Sequence, residues 1–560
     1  MKNLSKMNQK LVNRISVGFF VALFAISSAV AQTVTPWLTS GDQSKLLQQQ
    51  STISLGANTG SANVIVTVDP ATTYQTMDGF GFCLTEGSAE VISSLVASQQ
   101  NSILSELFDK TTGLGISVLR IGIGSTDLSS SAYSYNETSG DVNMVNFSLS
   151  GPDLTYLIPV LKKILAINPD LKILATPWSP PRWMKSNTSL NGGSLKANYY
   201  AAYANYFVKY FDEMKAQGIN IWAITPQNEP ENSTNTPSML MNSTEQKNFI
   251  NINLGPTMAS KGYAGIKIIA FDHNCNNTTY PIDVCNNSTY VDGAAFHLYS
   301  GDISALTTVK NATGKNVYFT EQYTASTGSF SGDLTWHFQN VILGSVNNSA
   351  KAVLEWNLAT DPSFGPRLSG VCSTCMGALT VSNSTTFTRN LSYYIIGQIS
   401  KFVKSGAVRI KATTSTTGYV CSGFINPDGT LAVVVYNSKS SSQTFKILVG
   451  TQAFTYSVPA NTAASFVWNP NLSGVTDIRM NNLVVSPNPA KDFINLKNTD
   501  NESRYNSVDI ISMNGSLALS LPVSPNMQST RIDVSGLKNG IYLIRLKGDS
   551  GFSYSRFIKE

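Results

Sequence analysis

Between residues 77 and 403 the chain alternates short apolar runs with longer stretches whose apolar residues recur at helical spacing. The runs are MDGFGFC, GISVLRIGIG, LKILATP, INIWAIT, GIKIIAFD, VDGAAFHLY, KNVYFTE and KAVLEWNL. Between most of them lie helix-like segments such as PDLTYLIPVLKKILAIN and LKANYYAAYANYFVKYFDEMKAQG. The second carries its aromatic residues on one face and ends at Gly218, a residue suited to a C-terminal cap. Eight strand–helix units predict an α/β fold, a (β/α)8 barrel with long loops. A doubly wound open sheet is the alternative. It calls for a glycine-rich phosphate turn, and GFGF at Gly79–Phe82 does not have that spacing.

The pattern shifts beyond the barrel. Residues 404–470 are β-rich (RIKATTST, GYVCSGFI, TLAVVVYN, SQTFKILVG, AASFVWN), and NPDG at Asn426–Gly429 reads as a hairpin turn. The NVIVTV stretch within residues 32–76 is able to pair with them, which predicts a β-sandwich built from both ends of the catalytic region. Residues 471–482 read as a linker. Residues 483–560 alternate over short strands with Asn-Gly turns, as expected of a separate small all-β module.

Composition narrows the class. A chain of 560 residues exceeds one ordinary core, and 42% hydrophobic with 13% charged residues is a globular balance. The formal charge of +5 is small and no dense Lys/Arg stripe is present, so nucleic acid is not an expected partner. At the N-terminus, Lys2, Lys6, Lys10 and Arg14 precede the apolar ISVGFFVALFAISSAV and an Ala29-Val30-Ala31 cleavage motif, so residues 1–31 read as a removed signal peptide. The other reading is a membrane anchor, for which the apolar run is short. No later segment reaches spanning length, and the mature chain is expected to be soluble and exported, without a stable membrane span. Export permits disulfides. Of six cysteines, Cys275 with Cys285 and Cys372 with Cys375 are the local pairing candidates. CSTC is also half of a zinc or redox site, but a single CxxC and three histidines give little support for metal.

In a barrel the chemistry sits at the C-terminal ends of the strands. The residues there are Arg120 and Asp127 after the second strand and Trp178 after the third. Asn228 and Glu229 follow the fourth, Asp272 and His273 the fifth, and His297 and Tyr299 the sixth. Glu321 follows the seventh, and Trp356 and Asn357 the eighth. Singly, each has an ordinary reading: packing for a Trp, a structural hydrogen bond for His297, a turn for Asp272-His273. Together, carboxylates for proton transfer and nucleophilic attack beside aromatic faces for pyranose rings form the layout of a sugar site. Glycoside hydrolysis uses one protonated and one ionised carboxyl. Their environments must therefore separate the two pKa values, and the acid is expected to be raised.

MDGFGFCLTEGSA, LRIGIGSTDLS, ATPWSPPRWMKSN, YFVKYFDEMKAQGINIWAITPQNEP, FHLY, YFTEQY and EWNLA run in order through residues 76–402, and this stretch resembles glycoside hydrolase family 30. That family includes lysosomal glucosylceramidase and microbial β-1,6-glucanases. The resemblance implies a barrel with an attached β-sandwich and a retaining mechanism. It implies Glu229 as general acid/base, Glu321 as nucleophile, and Asn228 at the sugar 2-hydroxyl. It places Asp127, Trp178 and Trp356 around the glycone, with His297 and Tyr299 lining the site and Arg120 in support. Glu231 matches no role and reads as a loop residue. YFTEQ and the cysteine pair in GPRLSGVCSTCMGALTV resemble the β-1,6-glucanase branch, although Tyr323 stands where that branch carries Trp. The implied substrate is β-1,6-glucan, with glucosylceramide as the alternative and no cofactor. Further alternatives are a β-xylosidic or β-fucosidic member and a silent carbohydrate-binding protein. In the tail, SPNPAKD, NGIYLIRL and a basic residue near the end are similar to the C-terminal sorting domain of type IX secretion. This implies that machinery as a partner and a secreted or cell-surface location.

Overall fold

The structure is a computed structural model and describes residues 32–149, 151–470, 483–498, 505–512, 516–524, 527–548 and 551–560. The expected signal peptide, the linker and the Asn514-Gly515 turn lie outside the described residues. Residues 32–470 form one compact unit and those from 483 onward another.

Eight parallel strands close into a barrel: β1 (Gly79–Cys83), β2 (Val118–Gly122), β3 (Lys172–Thr176), β4 (Ala223–Ile224), β5 (Lys267–Cys275), β6 (Val291–Gly301), β7 (Asn316–Glu321) and β8 (Ala350–Asn357). Each apolar run of the sequence supplies one strand, and β8 pairs with β1 to close the ring. The glycines of GFGF serve this closure. A Cβ on Gly81 would lie 1.8 Å from the Val118 carbonyl oxygen of β2. The helix Tyr200–Ala216 buries Tyr203, Tyr206, Phe207, Tyr210, Phe211 and Met214. Gly218 ends it, with a φ of +80° that favours glycine, its N–H donating to the Lys215 carbonyl at 2.9 Å.

The barrel interior is layered by the two-residue period of its strands. Val118, Leu174, Ala223, Ala295, Tyr318 and Leu354 form an apolar plug. Two residues further along the same strands stand Arg120, Thr176, Thr225, His297, Thr320 and Trp356. The inward face thus changes from apolar to polar towards the C-terminal mouth. Strand β5 breaks the period. Phe271 and Asp272 take φ of +71° and +69° at a register shift, so Phe271 joins the outer core and Asp272 points inward.

The sandwich follows from strands at both ends of this unit. Thr33–Ser40 pairs with Thr462–Trp468, and the sheet continues through Leu431–Asn437, Val420–Ile425 and Val408–Thr414 to Val64–Thr76. Gln443–Val449 and Gln452–Val458 extend it; the last of these is a strand that the sequence reading did not assign. NPDG turns between Val420–Ile425 and Leu431–Asn437, with Gly429 at φ +81°. The module from residue 483 holds two antiparallel sheets around Ile494, Leu496, Ile510, Ile532, Ile544 and Phe557.

One expected cysteine pair forms and one does not. Cys372 and Cys375 are bridged. Cys275 and Cys285 remain thiols, each buried within the barrel's outer apolar core. No helix among the described residues is long and apolar enough to cross a membrane.

Candidate active site

The polar layer at the barrel mouth is one connected network. Arg120 is fully buried and donates to Glu321 Oε2 at 2.6 Å, Asn228 Oδ1 at 2.7 Å and Asp272 Oδ2 at 2.8 Å. Its guanidinium lies 4.7 Å from the ring centre of Trp178 and 5.8 Å from that of Trp356. Asp272 also accepts from Thr225 at 2.6 Å and Thr320 at 2.7 Å, and it meets His297 Nε2 at 3.2 Å. The other nitrogen of His297, Nδ1, lies 3.1 Å from Glu229 Oε1 and 3.7 Å from Glu321 Oε1.

Glu229 follows β4 in a tight turn and itself adopts φ +45°. Strain of this kind in a non-glycine residue persists only where the surroundings enforce it. Here the Glu229 N–H donates to the Asp272 carbonyl at 3.0 Å, its own carbonyl accepts from the Asn232 N–H at 2.9 Å, and the Asn232 side chain donates to Oε2 at 2.8 Å. Glu321 ends β7 and accepts from the Tyr299 hydroxyl at 3.0 Å. One oxygen of each glutamate and a ring nitrogen of His297 lie within 4.8 Å of one another.

The charges settle around His297. Burial opposes its protonation, but Glu321 and hydrogen bonds to Asp272 and Glu229 outweigh that and hold it up to about 10, so the ring is an imidazolium. Burial alone would raise Glu229, yet the hydrogen bond and charge of His297, aided by His273 and Asn232, bring it down to about 2. Burial also raises Asp272, and Arg120 with His297 holds it well below the carboxylate range. Glu321 is raised by burial, against the pull of His297 and Arg120. The expected raising of Glu229 therefore does not occur: His297 holds it down. The protonated form is favoured one hydrogen bond away, at His297.

A cavity of about 620 Å³ opens above this network. Asp127, Glu229, Tyr299, Glu321 and Trp356 line it, together with Asn232, Asn235, Asn274, Tyr323 and residues 371–375. Arg120, Trp178, Asn228 and His297 do not line it and stand behind its wall; His297 is fully buried with both nitrogens on carboxylates. Asp127 Oδ1, Trp178 Nε1, Gln322 Oε1 and Asn357 Oδ1 are buried without a hydrogen-bond partner. Each such group costs about 1–3 kcal/mol unless something satisfies it. A polyhydroxylated ligand would do so for Asp127, which lines the cavity. Burial, with Glu321 and Glu229 nearby, pushes the Asp127 carboxyl up to about 8. Sequence reasoning missed the central place of Asp272 and the contributions of Asn232, Asn274 and Gln322. Glu231 is exposed and accepts from Asn277 at 2.8 Å.

Comparison with known proteins matches this architecture. The family model for the glycosyl hydrolase family 30 TIM-barrel domain matches residues 77–403, more than half of the chain. The chain belongs to glycosyl hydrolase family 30. The family's β-sandwich domain matches residues 406–466, and a secretion system C-terminal sorting domain matches residues 484–560. This family 30 chain is 34% identical to an endo-1,6-beta-D-glucanase of Neurospora crassa, over 76% of this chain and 93% of the relative. It is 28% identical to the lysosomal acid glucosylceramidase of Mus musculus, over 69% of this chain and 80% of that one. A solved endo-beta1,6-glucanase superposes with a TM-score of 0.73 at 37% identity, covering 78% of this chain and 99% of that one. The protein is a glycoside hydrolase.

Proposed function

We propose that the protein is an exported retaining β-glucoside hydrolase that cleaves β-1,6-glucan. The observation that carries this reading is the carboxylate pair, with oxygens within 4.8 Å of each other at the floor of an open, aromatic-walled cavity. Retaining enzymes hold their two carboxyls about 5–5.5 Å apart, whereas inverting ones leave room for a water between them. The relatives named for endo-1,6-β-glucanase activity support the substrate.

In this reading Glu321 attacks the anomeric carbon and forms a glycosyl ester. Arg120 and Tyr299 orient its oxygens, at 2.6 and 3.0 Å. The leaving oxygen takes a proton that Glu229 has received from His297 across 3.1 Å, which leaves Glu229 ionised and the imidazole neutral. In the second step Glu229 takes a proton from water, the water attacks the ester, and the proton returns to His297. Attack by Glu321 consumes the negative charge that chiefly holds His297 protonated, which favours release of that proton toward the leaving group in the first step; the charge returns with the Glu321 carboxylate in the second, as the proton goes back to His297. Asp127, with its unpartnered oxygen, binds a hydroxyl of the glycone, Trp356 supports the ring, and Trp178 backs the wall over Arg120. Residues 1–31 act as the leader and 483–560 engage the type IX secretion machinery, for which the sorting-domain match is the support.

The test is hydrolysis of linear β-1,6-glucan in parallel with glucosylceramide in detergent micelles. Gluco-oligosaccharide release that falls by about 10²–10⁴ in Glu229→Gln, and at least as far in Glu321→Gln, is expected. Cleavage of the lipid alone would move the substrate to glucosylceramide, and cleavage of neither would overturn the reading.

A further inference from the structure

The loop after β8 carries the one disulfide among the described residues, Cys372–Cys375, and it stands in the cavity. Val371, Cys372, Ser373, Thr374 and Cys375 all line the opening. Cys375 is buried in one apolar group with Trp178 and Trp356, and Cys372 packs on that group as Tyr323 does. The backbone is fixed on either side of the bridge. Ala325 pairs with Cys375, the Ser326 N–H donates to the Thr374 carbonyl at 2.9 Å, and the Leu368 N–H donates to the Asp127 carbonyl at 2.9 Å. Exposure grades outward from buried Cys375 through half-buried Thr374 and Cys372 to exposed Ser373. The loop therefore runs from the wall of the reaction centre to solvent, along a cavity of about 620 Å³.

We propose that this disulfide-closed loop is a specificity-determining wall that positions a second sugar residue, next to the one held at the carboxylate pair. The inference rests on the reading of the protein as a β-glucan hydrolase. Closing a four-residue ring restricts the loop before substrate arrives, so its backbone groups and the hydroxyls of Ser373 and Thr374 are presented without an ordering cost. The substrate this favours is an oligo- or polysaccharide over a glycoside of one sugar.

The test compares kcat and KM on linear β-1,6-glucan and on a nitrophenyl β-glucoside. It uses the full chain, Cys372→Ser/Cys375→Ser, and Ser373→Trp. The ratio of kcat/KM for glucan to that for the aryl glucoside should fall about tenfold or more in both variants, with the loss in KM for glucan. A loop that only supports the fold would lower both activities together and leave the ratio unchanged, which would overturn the inference. Ser373→Trp alters an exposed position and keeps the bridge, so it decides the matter if the double serine variant does not fold. A wild type active on both substrates with a constant ratio in the variants sinks this inference alone. A wild type active on neither sinks the functional reading with it.

Discussion

Asp272 holds Arg120 with one oxygen and His297 with the other, so the two cations that face the glutamates are both aimed by it. The sequence places it at the end of the fifth strand but does not show this central role, because Asp-His also suits a turn and the register shift that turns Asp272 inward is not visible in the apolar pattern. Glu229 and Glu321 were legible for the opposite reason: each follows an apolar run directly, and barrel geometry sends strand ends to the mouth. Their charge state was not legible, since it depends on His297, which is distant in sequence. Asp127 supplies a prediction at this scale. Its carboxyl is raised to about 8 by burial, so between the ordinary carboxylate range and that value the folded chain keeps a proton that the unfolded chain releases. Stability linked to Asp127 is thus present at low pH and is lost as pH rises through that window. Asp127→Asn removes the dependence. By calorimetry, the Tm of the variant relative to wild type should be more favourable at about pH 9 than at about pH 5. An equal difference at both would contradict the assignment.

At the scale of elements, the strand Leu431–Asn437 joins barrel to sandwich. Val433 and Val435 enter the sandwich core, while Ala432, Val434 and Tyr436 face the barrel helices. A strand buried on both faces reads as a continuous apolar run, and TLAVVVYN was recognisable as such. Gln452–Val458 was not. It follows Gln443–Val449 after only Gly450 and Thr451, and it is half exposed, so its apolar signal is weak. On the barrel side, Phe338 is fully buried and stacks on Tyr436 with ring centres 5.6 Å apart. Phe338→Ala should cost about 3–5 kcal/mol in denaturant unfolding. Because the ring partner of Phe338 is Tyr436 of the sandwich strand and not a member of the polar network, kcat on glucan should survive at temperatures where the variant is folded. A small stability loss with a large kcat loss would tie this seam to the site.

At the scale of the whole molecule, the barrel brings residues from seven of its eight strands to one mouth, and the sandwich anchors both ends of that unit. The order of strands was readable because each βα unit is local in sequence. The way residues 32–76 insert into a sheet with strands nearly 400 positions away is a matter of tertiary pairing, and only the β-character of NVIVTV hinted at it. The central claim is that Glu321 forms the covalent bond while Glu229 handles the proton. The most direct measurement is to inactivate the intact protein with a 2-deoxy-2-fluoro-β-glucoside bearing a good leaving group, then map the adduct by peptide mass spectrometry. The account predicts a single fluoroglucosyl group on Glu321. An adduct on Glu229, or turnover of β-glucan with no adduct at all, would contradict it.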